Sequence, residues 1–366
     1  MSVAINGTNG ITFNDGSLQP SAPVGRNLII NGDMAIDQRN AGASATSNAT
    51  TYMTDRYEFQ MSSVTNVQTY QQVTDAPAGF NNSLKITNNS TTQATAAGVL
   101  STPRQKIEGL NTAYLNWGTS DAQTVTISFW VKASVTGTYP VSLINNDFTR
   151  SFVTNYTVSV ANTWEKKTAT IAGDTSGTWS VDNSTGISVM FSLDTGSTYQ
   201  TTAGSWQTGN YRGTSSDVHF LANASATWQI TGVQLEAGTT ATPFEHLQYG
   251  QQLSLCQRYY QEITKTAGYD NVTNASVWQT TNAFGVFTWL PMRASPTLTA
   301  TFTDFVVRSG GTSYNATSGS FANIRPDRCQ FNLGTSGLTV GRAAWYTFDT
   351  DAVTSPPQKI AISAEL

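Results

Sequence analysis

The sequence contains few charged residues. Asp, Glu, Lys and Arg make up 11% of its 366 residues, whereas an ordinary soluble domain contains roughly 25%. The 19 basic and 23 acidic side chains give a net charge of -4 and form no basic run or stripe. A nucleic-acid-binding protein needs a positive field to displace counterions from phosphate. We therefore expect no nucleic-acid partner.

The low charge does not indicate disorder, because aromatic residues are plentiful. They make up 11% of the chain and include nine Trp, whereas disordered chains lack the side chains that offset the entropy of folding. The length is enough for two or three domains of roughly 150 residues each. The sequence therefore predicts a folded protein whose surface carries mainly hydroxyl and amide groups.

Cysteine and histidine are nearly absent. Cys256 and Cys329 are the only cysteines, and their number and spacing suggest neither a disulfide framework nor a zinc site. Two buried free thiols are favoured over a single disulfide. His219 and His246 are the only histidines, and no Gly-x-Ser-x-Gly motif precedes either. No glycine-rich phosphate loop is present. The sequence therefore predicts a protein that is not an enzyme and has no transition-metal site.

Glycan cleavage is the enzymatic alternative, and it requires two carboxylates held a few ångströms apart. Asp349 and Asp351 would share a face if their segment were a strand. A solvated pair at a sheet edge is the simpler interpretation, because any β-rich protein offers such pairs. The sequence also lacks the long repetitive character of a β-helix. A hydrolase is therefore the less favoured hypothesis.

No secretion signal or long apolar run is visible. Residues 1–7 lack the basic and apolar regions of a signal peptide. No apolar run approaches the roughly 20 residues of a membrane span. We therefore expect synthesis in a cytoplasm and no membrane insertion, although the composition resembles that of an exposed surface.

Most of the sequence reads as short strands in which polar and apolar residues alternate. The clearest is 124–132, whose apolar face comprises Val125, Ile127, Phe129 and Val131. Similar stretches occur at 156–160, 167–171, 187–191, 227–233 and 297–302. Glycine- and asparagine-containing turn signals separate them. Closely spaced strands without intervening helical patterns predict an all-β protein built from antiparallel sandwiches.

One segment has a helical pattern instead. Thr242–Glu245 has the form of a capping box with proline at the first helical position. The residues that follow at 4-3-4-3 spacing are Tyr249, Leu253, Cys256, Tyr260 and Ile263. This seam favours a helix packed on a neighbouring sheet, and a short seam around a threefold axis is the alternative. Two heptads could not hold a trimer alone.

These patterns divide the chain into four parts. Residues 1–24 form a leader rich in Gly and Asn, and residues 25–240 form a large β-sandwich. Residues 241–263 form a connector helix, and residues 264–366 form a smaller β-sandwich that we expect at the tip of the protein.

Several stretches resemble phage tail and appendage proteins. The third of them, a strand that continues through Pro-Phe-Glu to Cys-Gln-Arg-Tyr-Tyr, is the most specific. With the third counted continuously from 230 to 260, they cover about a sixth of the chain and bracket nearly all of it, in this order: 7–19, 27–39, 230–238 continuing through 242–245 to 256–260, and 362–366. The stretch at 27–39 looks like the opening strand of a jelly-roll module that is itself similar to carbohydrate-binding modules.

The resemblance implies a homotrimeric phage virion protein with a jelly-roll domain. It implies a tail fibre or receptor-binding protein, assembled in the host cytoplasm, whose amino-terminal leader docks on other virion proteins and whose distal domains bind host-surface polysaccharide. A capsid-decorating head fibre or a tail connector without host binding is the alternative. Similar jelly rolls often hold a structural Ca²⁺. This sequence contains no calcium-loop motif, so we assign no ion and no other cofactor.

Aromatic faces and amide side chains are the groups that bind sugars. The loop-like stretch 199–212 concentrates them without alternation. Its candidate glycan-binding residues are Tyr199, Trp206, Asn210, Tyr211 and Arg212. The alternative is that Trp206 and Tyr211 plug the end of the sandwich or a trimer interface. Residues 269–274 and 309–315 are candidate tip loops of the last domain.

Overall fold

The computed structural model describes residues 25–89, 92–265, 271–348 and 358–366, together with three short strands within residues 1–24. The chain divides into two compact units, Met1–Gln248 and Tyr249–Leu366, which we call the large unit and the small unit. The division falls inside the predicted connector of residues 241–263. The first part of that connector therefore belongs to the large unit and the rest to the small unit.

The large unit consists mainly of short strands, with one α-helical turn, α1 (Gly109–Thr112). In chain order its strands are β1 (Ala4–Asn6), β2 (Gly10–Thr12), β3 (Leu18–Gln19), β4 (Ala45–Ser47), β5 (Thr51–Tyr52), β6 (Glu58–Ser62), β7 (Gln68–Val73), β8 (Ser83–Asn88), β9 (Leu100–Glu108), β10 (Val125–Ala133), β11 (Gly137–Asn145), β12 (Arg150–Val158), β13 (Glu165–Ile171), β14 (Thr185–Phe191), β15 (Asp194–Thr195), β16 (Trp206–Thr208) and β17 (Thr227–Ala237).

Two antiparallel sheets form the sandwich of the large unit. The first has six strands in the order β13-β10-β17-β8-β7-β4. The second has eight strands, in the order β16-β12-β11-β14-β9-β6-β5 with β15 paired to β9. The predicted all-β class with a jelly-roll-like sandwich is confirmed. In the leader, the backbones of β1, β2 and β3 pair as a separate antiparallel sheet; the rest of the leader lies outside the described residues.

The core of the large unit lies between the two sheets. Strand β10 contributes the apolar face predicted from alternation, and 1% or less of each residue is exposed: Val125, Ile127, Phe129 and Val131. From β17, Trp228 enters the same core, where its ring centroid lies 6.1 Å from that of Phe191. Burial of alternate residues therefore fixes the register of these strands.

The stretch at 27–39, which resembles an opening strand, is irregular in the structure. Asn27 Oδ1 accepts a hydrogen bond from the backbone N–H of Leu235 (3.0 Å), and its Nδ2 donates to the Val233 carbonyl (3.1 Å). The Asn31 amide donates to the Ile36 carbonyl (2.8 Å). Asparagine side chains thus make several of the bonds that a neighbouring strand would otherwise make, and they join this stretch to β17.

The predicted capping box at 242–245 is wrong. The Glu245 carboxylate accepts hydrogen bonds from the backbone N–H groups of Gly25 (2.7 Å) and Asn27 (2.9 Å), not from the start of a helix. Charge-assisted bonds of this kind are stronger than neutral ones. The segment therefore joins the end of the large unit to Gly25 and Asn27, which directly follow the leader.

The small unit contains one longer helix and ten strands among its described residues. In chain order they are α2 (Tyr249–Gln257), β18 (Tyr260–Thr264), β19 (Asn271–Gln279), β20 (Asn282–Thr288), β21 (Thr297–Ala300), β22 (Phe305–Ser309), β23 (Thr312–Asn315), β24 (Ser318–Ala322), β25 (Arg328–Gly334), β26 (Ala343–Phe348) and β27 (Lys359–Ser363). The strands form a three-stranded sheet, β18-β27-β21, and a seven-stranded sheet, β23-β22-β26-β19-β20-β25-β24.

The helix α2 is shorter than predicted. Of the seam residues, Tyr249, Leu253 and Cys256 lie on α2, and Tyr249 is 64% exposed. Tyr260 and Ile263 lie on β18, so the predicted five-residue helical seam is wrong. Aromatic and β-branched residues favour strands, and β18 pairs with β27 along its whole length. This pairing provides hydrogen-bond partners for the backbone N–H and C=O groups that would otherwise have bonded within a longer helix.

Both cysteines are free and buried, as favoured from the sequence. Cys256 lies on α2 and Cys329 on β25. Burial raises the pKa of the Cys329 thiol to about 12. A thiol with so high a pKa is a poor nucleophile at neutral pH.

Gly232 in the large sandwich occupies a position where a larger side chain would be both strained and crowded. Its φ is +62° at an irregularity between β10 and β17, and an added Cβ would lie 2.6 Å from Phe80 Cζ. We expect Gly232→Ala to lower the free energy of unfolding by about 3 kcal/mol, because a clash adds to the backbone strain. Gly42→Ala is the matched control, since φ is +80° there and the nearest atom would be 3.8 Å away. Equal losses in denaturant titrations would show that the contact with Phe80 is unimportant.

Candidate functional site

Trp206, a candidate sugar-binding residue on β16, is half-buried in a cluster of aromatic rings. Its ring centroid lies 5.3 Å from Trp117, 5.4 Å from Trp179 and 5.3 Å from Phe152, each in an edge-to-face arrangement. Its Nε1–H donates to the Ala172 carbonyl (2.8 Å). Such pairs stabilise a packed cluster. The structure therefore favours the alternative in which Trp206 plugs the end of the sandwich.

Arg212 is almost completely buried, at 2% exposure. Its Nη1 donates to Gln60 Oε1 (2.5 Å), and its guanidinium lies 5.3 Å from the Phe148 ring and 5.5 Å from the Tyr199 ring. Burial, aided by the charge of Arg104, lowers the pKa of Arg212 to about 10. In this arrangement the Arg212 side chain packs beneath the loop, against Gln60 and Phe148, and does not face solvent.

The remaining candidates belong to the same packed loop. Asn210 Oδ1 accepts from Arg212 Nε (3.1 Å), and the Tyr211 backbone N–H donates to Ser151 Oγ (3.3 Å). Tyr199, Asn210 and Tyr211 are each half-buried. The structure thus brings the five predicted residues together, but as a loop folded onto β6 and β12 and not as an open aromatic surface.

A partly screened group of charges lies near this loop. Glu58 on β6 forms an ion pair with Arg104 on β9 and lies 3.6 Å from Lys106 Nζ. The three side chains are 11%, 6% and 18% exposed, respectively. Burial and the neighbouring charge of Arg104 lower the pKa of Lys106. The Glu58 carboxylate therefore interacts electrostatically with two cations that have limited access to water.

The small unit carries the exposed aromatic surface that the loop lacks. On the outer side of the seven-stranded sheet, Trp278 on β19 is 50% exposed, and Phe284 on β20 and Trp345 on β26 are each 37% exposed. The rings of Trp278 and Phe284 meet edge-to-face at 6.5 Å. Exposed apolar patches rimmed by polar groups mark binding surfaces.

Amide side chains lie beside these rings on paired strands. Asn332 on β25 is opposite Phe284, and Asn274 on β19 is opposite Trp345. Gln330 Nε2 donates to Asn332 Oδ1 (2.7 Å), which orients both amides. We call this surface the aromatic face and define it as Trp278, Phe284, Val286, Trp345, Asn274, Gln330 and Asn332.

A shallow open groove of about 510 Å³ lies on the aromatic face. Its lining contains no charged side chain and consists of Thr273, Asn274, Ala275, Ser276, Phe284, Gly285, Val286 and Thr288. Aromatic rings can stack on the C–H faces of a sugar, and amides and hydroxyls can bind its hydroxyl groups. The aromatic face therefore has the chemistry required for a neutral glycan.

The sequence contains a signal for this face that alternation alone does not reveal. Residues 283–287 are apolar at every position, Ala-Phe-Gly-Val-Phe, and Trp278 directly follows the apolar Val277. A strand that is apolar on both faces is either covered on both faces of its sheet or exposes one apolar face to solvent. Of the predicted tip loops, 309–315 forms the β22–β23 hairpin, and part of 269–274 lies outside the described residues.

The ring of His219 lies beside the buried carboxylate of Asp194. His219 Nδ1 lies 3.2 Å from Asp194 Oδ1, and Thr95 Oγ1 donates to the same carboxylate rather than to the histidine (2.6 Å). A search of the described ranges found no group of three or more His, Cys, Asp or Glu that could hold a metal ion. Asp349 and Asp351 lie outside those ranges. No helix within them is long and apolar enough to cross a membrane.

No protein-family model and no curated protein matches the sequence. Comparison with solved structures finds weak similarity to a tailspike protein 4 domain of bacteriophage CBA120, with 12% identity and a TM-score of 0.30. That match covers 58% of this chain and 22% of the tailspike chain, so this chain spans about a fifth of its length.

Carbohydrate-binding modules give similar scores. The CBM22-1 xylan-binding domain from Paenibacillus barcinonensis is 9% identical over 60% of this chain and 100% of its own, with a TM-score of 0.27. The family 11 module of a cellulosomal cellulase from Clostridium thermocellum is 13% identical over 60% and 99%, with a TM-score of 0.27. Scores this low carry no argument about the function of this chain.

Proposed function

We propose that the chain is a bacteriophage virion protein, a tail fibre or receptor-binding protein that attaches the particle to host-surface glycan. Its leader docks on other virion proteins, and its small unit binds the polysaccharide. The sequence stretches that resemble phage appendage proteins support the virion role. The aromatic face supports the binding role, and it is the observation that carries the proposal.

The aromatic face suits a polysaccharide better than a small buried ligand. Its rings lie on strands β19, β20 and β26, and the groove that Phe284 helps to line is open. A site of this shape contacts several sugars of an extended chain and leaves both ends free to continue. Repetition of weak sites over the three chains of a trimer raises the avidity well beyond that of one site.

We further propose that the protein binds glycan without cleaving it. Retaining and inverting hydrolases need two carboxylates beside the scissile bond. The residues of the aromatic face are aromatic, aliphatic and amide side chains, and its groove lining includes no acid. The face can therefore hold a glycan but offers no acid or base at the point of contact.

Sedimentation of the full-length protein with intact host cells tests this function. We expect fluorescently labelled protein to pellet with the cells in a saturable manner. Purified host polysaccharide should displace it from the cells, and the length of that polysaccharide should not change during the incubation. Protein that stays in the supernatant at all cell densities would contradict adhesion and favour a head fibre or connector. Polysaccharide that becomes shorter on size-exclusion chromatography would instead indicate a hydrolase.

A further inference from the structure

A small pocket in the large unit plays no part in the binding proposed above. It has a volume of about 130 Å³ and lies beside α1 and the segment that precedes β14. Its lining residues that matter here are Thr112, Asn116, Trp117, Thr119, Trp179 and Ser180. None of the residues that line it is charged.

Two tryptophans form a fixed apolar wall of the pocket. The rings of Trp117 and Trp179 meet edge-to-face at 4.7 Å. Each indole N–H is bonded within the chain: Trp117 Nε1 donates to the Gln123 carbonyl (2.8 Å), and Trp179 Nε1 donates to the Ser176 carbonyl (3.2 Å). Trp206 packs against both rings. The wall is therefore preorganised and offers carbon surface rather than indole N–H groups.

Polar groups at the mouth of the pocket are available to a ligand. The side chains of Asn116 and Ser180 form no hydrogen bond within the part of the chain that the structure describes. Asn116 has φ +55° and is exposed, and the neighbouring Thr119 Oγ1 donates to its carbonyl (2.7 Å). An amide and a hydroxyl without intramolecular partners can bind an uncharged polar group of a ligand.

Exposed apolar side chains occur in the pocket lining, at Val181, and on the helical turns beside it, at Leu110 and Tyr114. Leu110 is 56% exposed, Tyr114 is 47% exposed and Val181 is 59% exposed. The Leu110 N–H donates to the Asp182 carbonyl (2.8 Å), which brings Leu110 close to Val181. Leu110 and Tyr114 are four residues apart across α1 and the turn that follows. Apolar side chains that cluster around a pocket with a polar edge indicate a ligand contact.

We propose that this pocket is a second sugar-binding site, which holds a methyl-bearing substituent of a neutral sugar. The methyl group is carried either by an acetamido group or by the ring of a 6-deoxy sugar, and it rests on the two tryptophans. The volume corresponds to about four water molecules, at about 30 Å³ each, so the pocket takes a substituent and the ring edge that bears it. The absence of a charged lining residue disfavours acidic sugars.

This second site goes beyond the proposed function, because it lies in the other unit and does not depend on the aromatic face. The test is saturation-transfer NMR on the full-length protein with millimolar N-acetylglucosamine, N-acetylgalactosamine, rhamnose or fucose. Glucose and galactose, which carry no methyl group, serve as ligand controls. We expect the strongest transfer at the methyl protons of the acetamido pair or of the 6-deoxy pair, and the responding pair identifies the substituent.

Variants assign the signal to the pocket. Ala113 lines the pocket on a short 3₁₀ turn, and Ala113→Leu fills it without removing a tryptophan. We expect this change to weaken binding about 10-fold or more, as loss of room for one methyl group does in apolar sites. Ala222→Leu, on another 3₁₀ turn and exposed, is the matched control and should have no effect. Ser180→Phe fills the pocket from another lining position and replaces Ala113→Leu if the latter does not fold.

Three results would overturn the second site: no transfer to any of the four methyl-bearing sugars, equal transfer to glucose and galactose, or unchanged binding in the folded pocket-filling variants. Trp278→Ala in the aromatic face should leave the methyl signal unchanged. Loss of cell binding with an intact methyl signal, or the reverse, therefore separates failure of one site from failure of the other.

Discussion

Replacing Trp278 by alanine is expected to weaken binding of the full-length protein to host polysaccharide by about 30-fold, the loss typical of a central aromatic contact. Trp278 is the most exposed ring of the aromatic face and meets Phe284 at its edge. Removal of the ring abolishes stacking on the sugar and leaves the core beneath unchanged. Isothermal titration with purified polysaccharide measures the loss. A second substitution, Trp345→Ala, should reduce the affinity further.

The matched control is Val340→Ala, which removes exposed apolar surface from the same unit at a residue that is 56% exposed and outside the aromatic face. We expect unchanged affinity for this variant and unchanged thermal unfolding for both. If Trp278→Ala binds as tightly as the unsubstituted protein, the aromatic face is not the glycan site. If Trp278→Ala instead changes the oligomeric state, the face is an interface between copies of the chain.

Glu58→Gln is expected to lower the free energy of unfolding by about 3 kcal/mol, which corresponds to roughly 6–12 °C in the midpoint of thermal unfolding of a unit of this size. The substitution keeps the shape of the side chain but removes the negative charge that pairs with Arg104 and lies 3.6 Å from Lys106 Nζ. The Arg104 side chain is only 6% exposed, so the loss of the Glu58 charge leaves the Arg104 guanidinium poorly solvated.

Asp75→Asn provides the comparison at an exposed ion pair. Asp75 pairs with Lys132, but its side chain is 50% exposed. Removal of that charge should cost about 1 kcal/mol or less, because water already screens the pair on the Asp75 side and the Lys132 ammonium keeps its contact with the Trp164 ring, 5.5 Å from the ring centroid. Differential scanning calorimetry on both variants measures the contrast. Equal shifts of the unfolding midpoint would show that Glu58 is as well solvated as Asp75.

Alternation predicted the fold because burial acts on neighbouring residues of one strand. The residues of β10 that were predicted to be apolar and inward-facing are buried, and the last strand near 362–366 is present as β27. The helix was predicted too long because its last residues are held by a strand that is distant in the chain, which local spacing does not reveal. Tyr260 and Ile263 fit a helical seam by spacing, and only the distant strand β27 makes them part of a sheet.

The candidate site could not be predicted from local sequence because exposure depends on partners that are distant in the chain. Trp206 lies in a stretch without alternation, yet Trp117 and Trp179 pack on it and half-bury it. Trp278 lies in a regular strand, yet no described element covers its side of the sheet. Composition indicated that aromatic and amide groups would bind the ligand, but the choice between two sets of such groups required the three-dimensional structure.

Immunogold electron microscopy of the phage, with antibody raised against the small unit, tests the central claim most directly. A virion adhesin predicts gold at the distal end of the tail. Gold over the capsid would contradict the tail-fibre role. Absence of gold from purified particles that infect the host would contradict a virion role altogether.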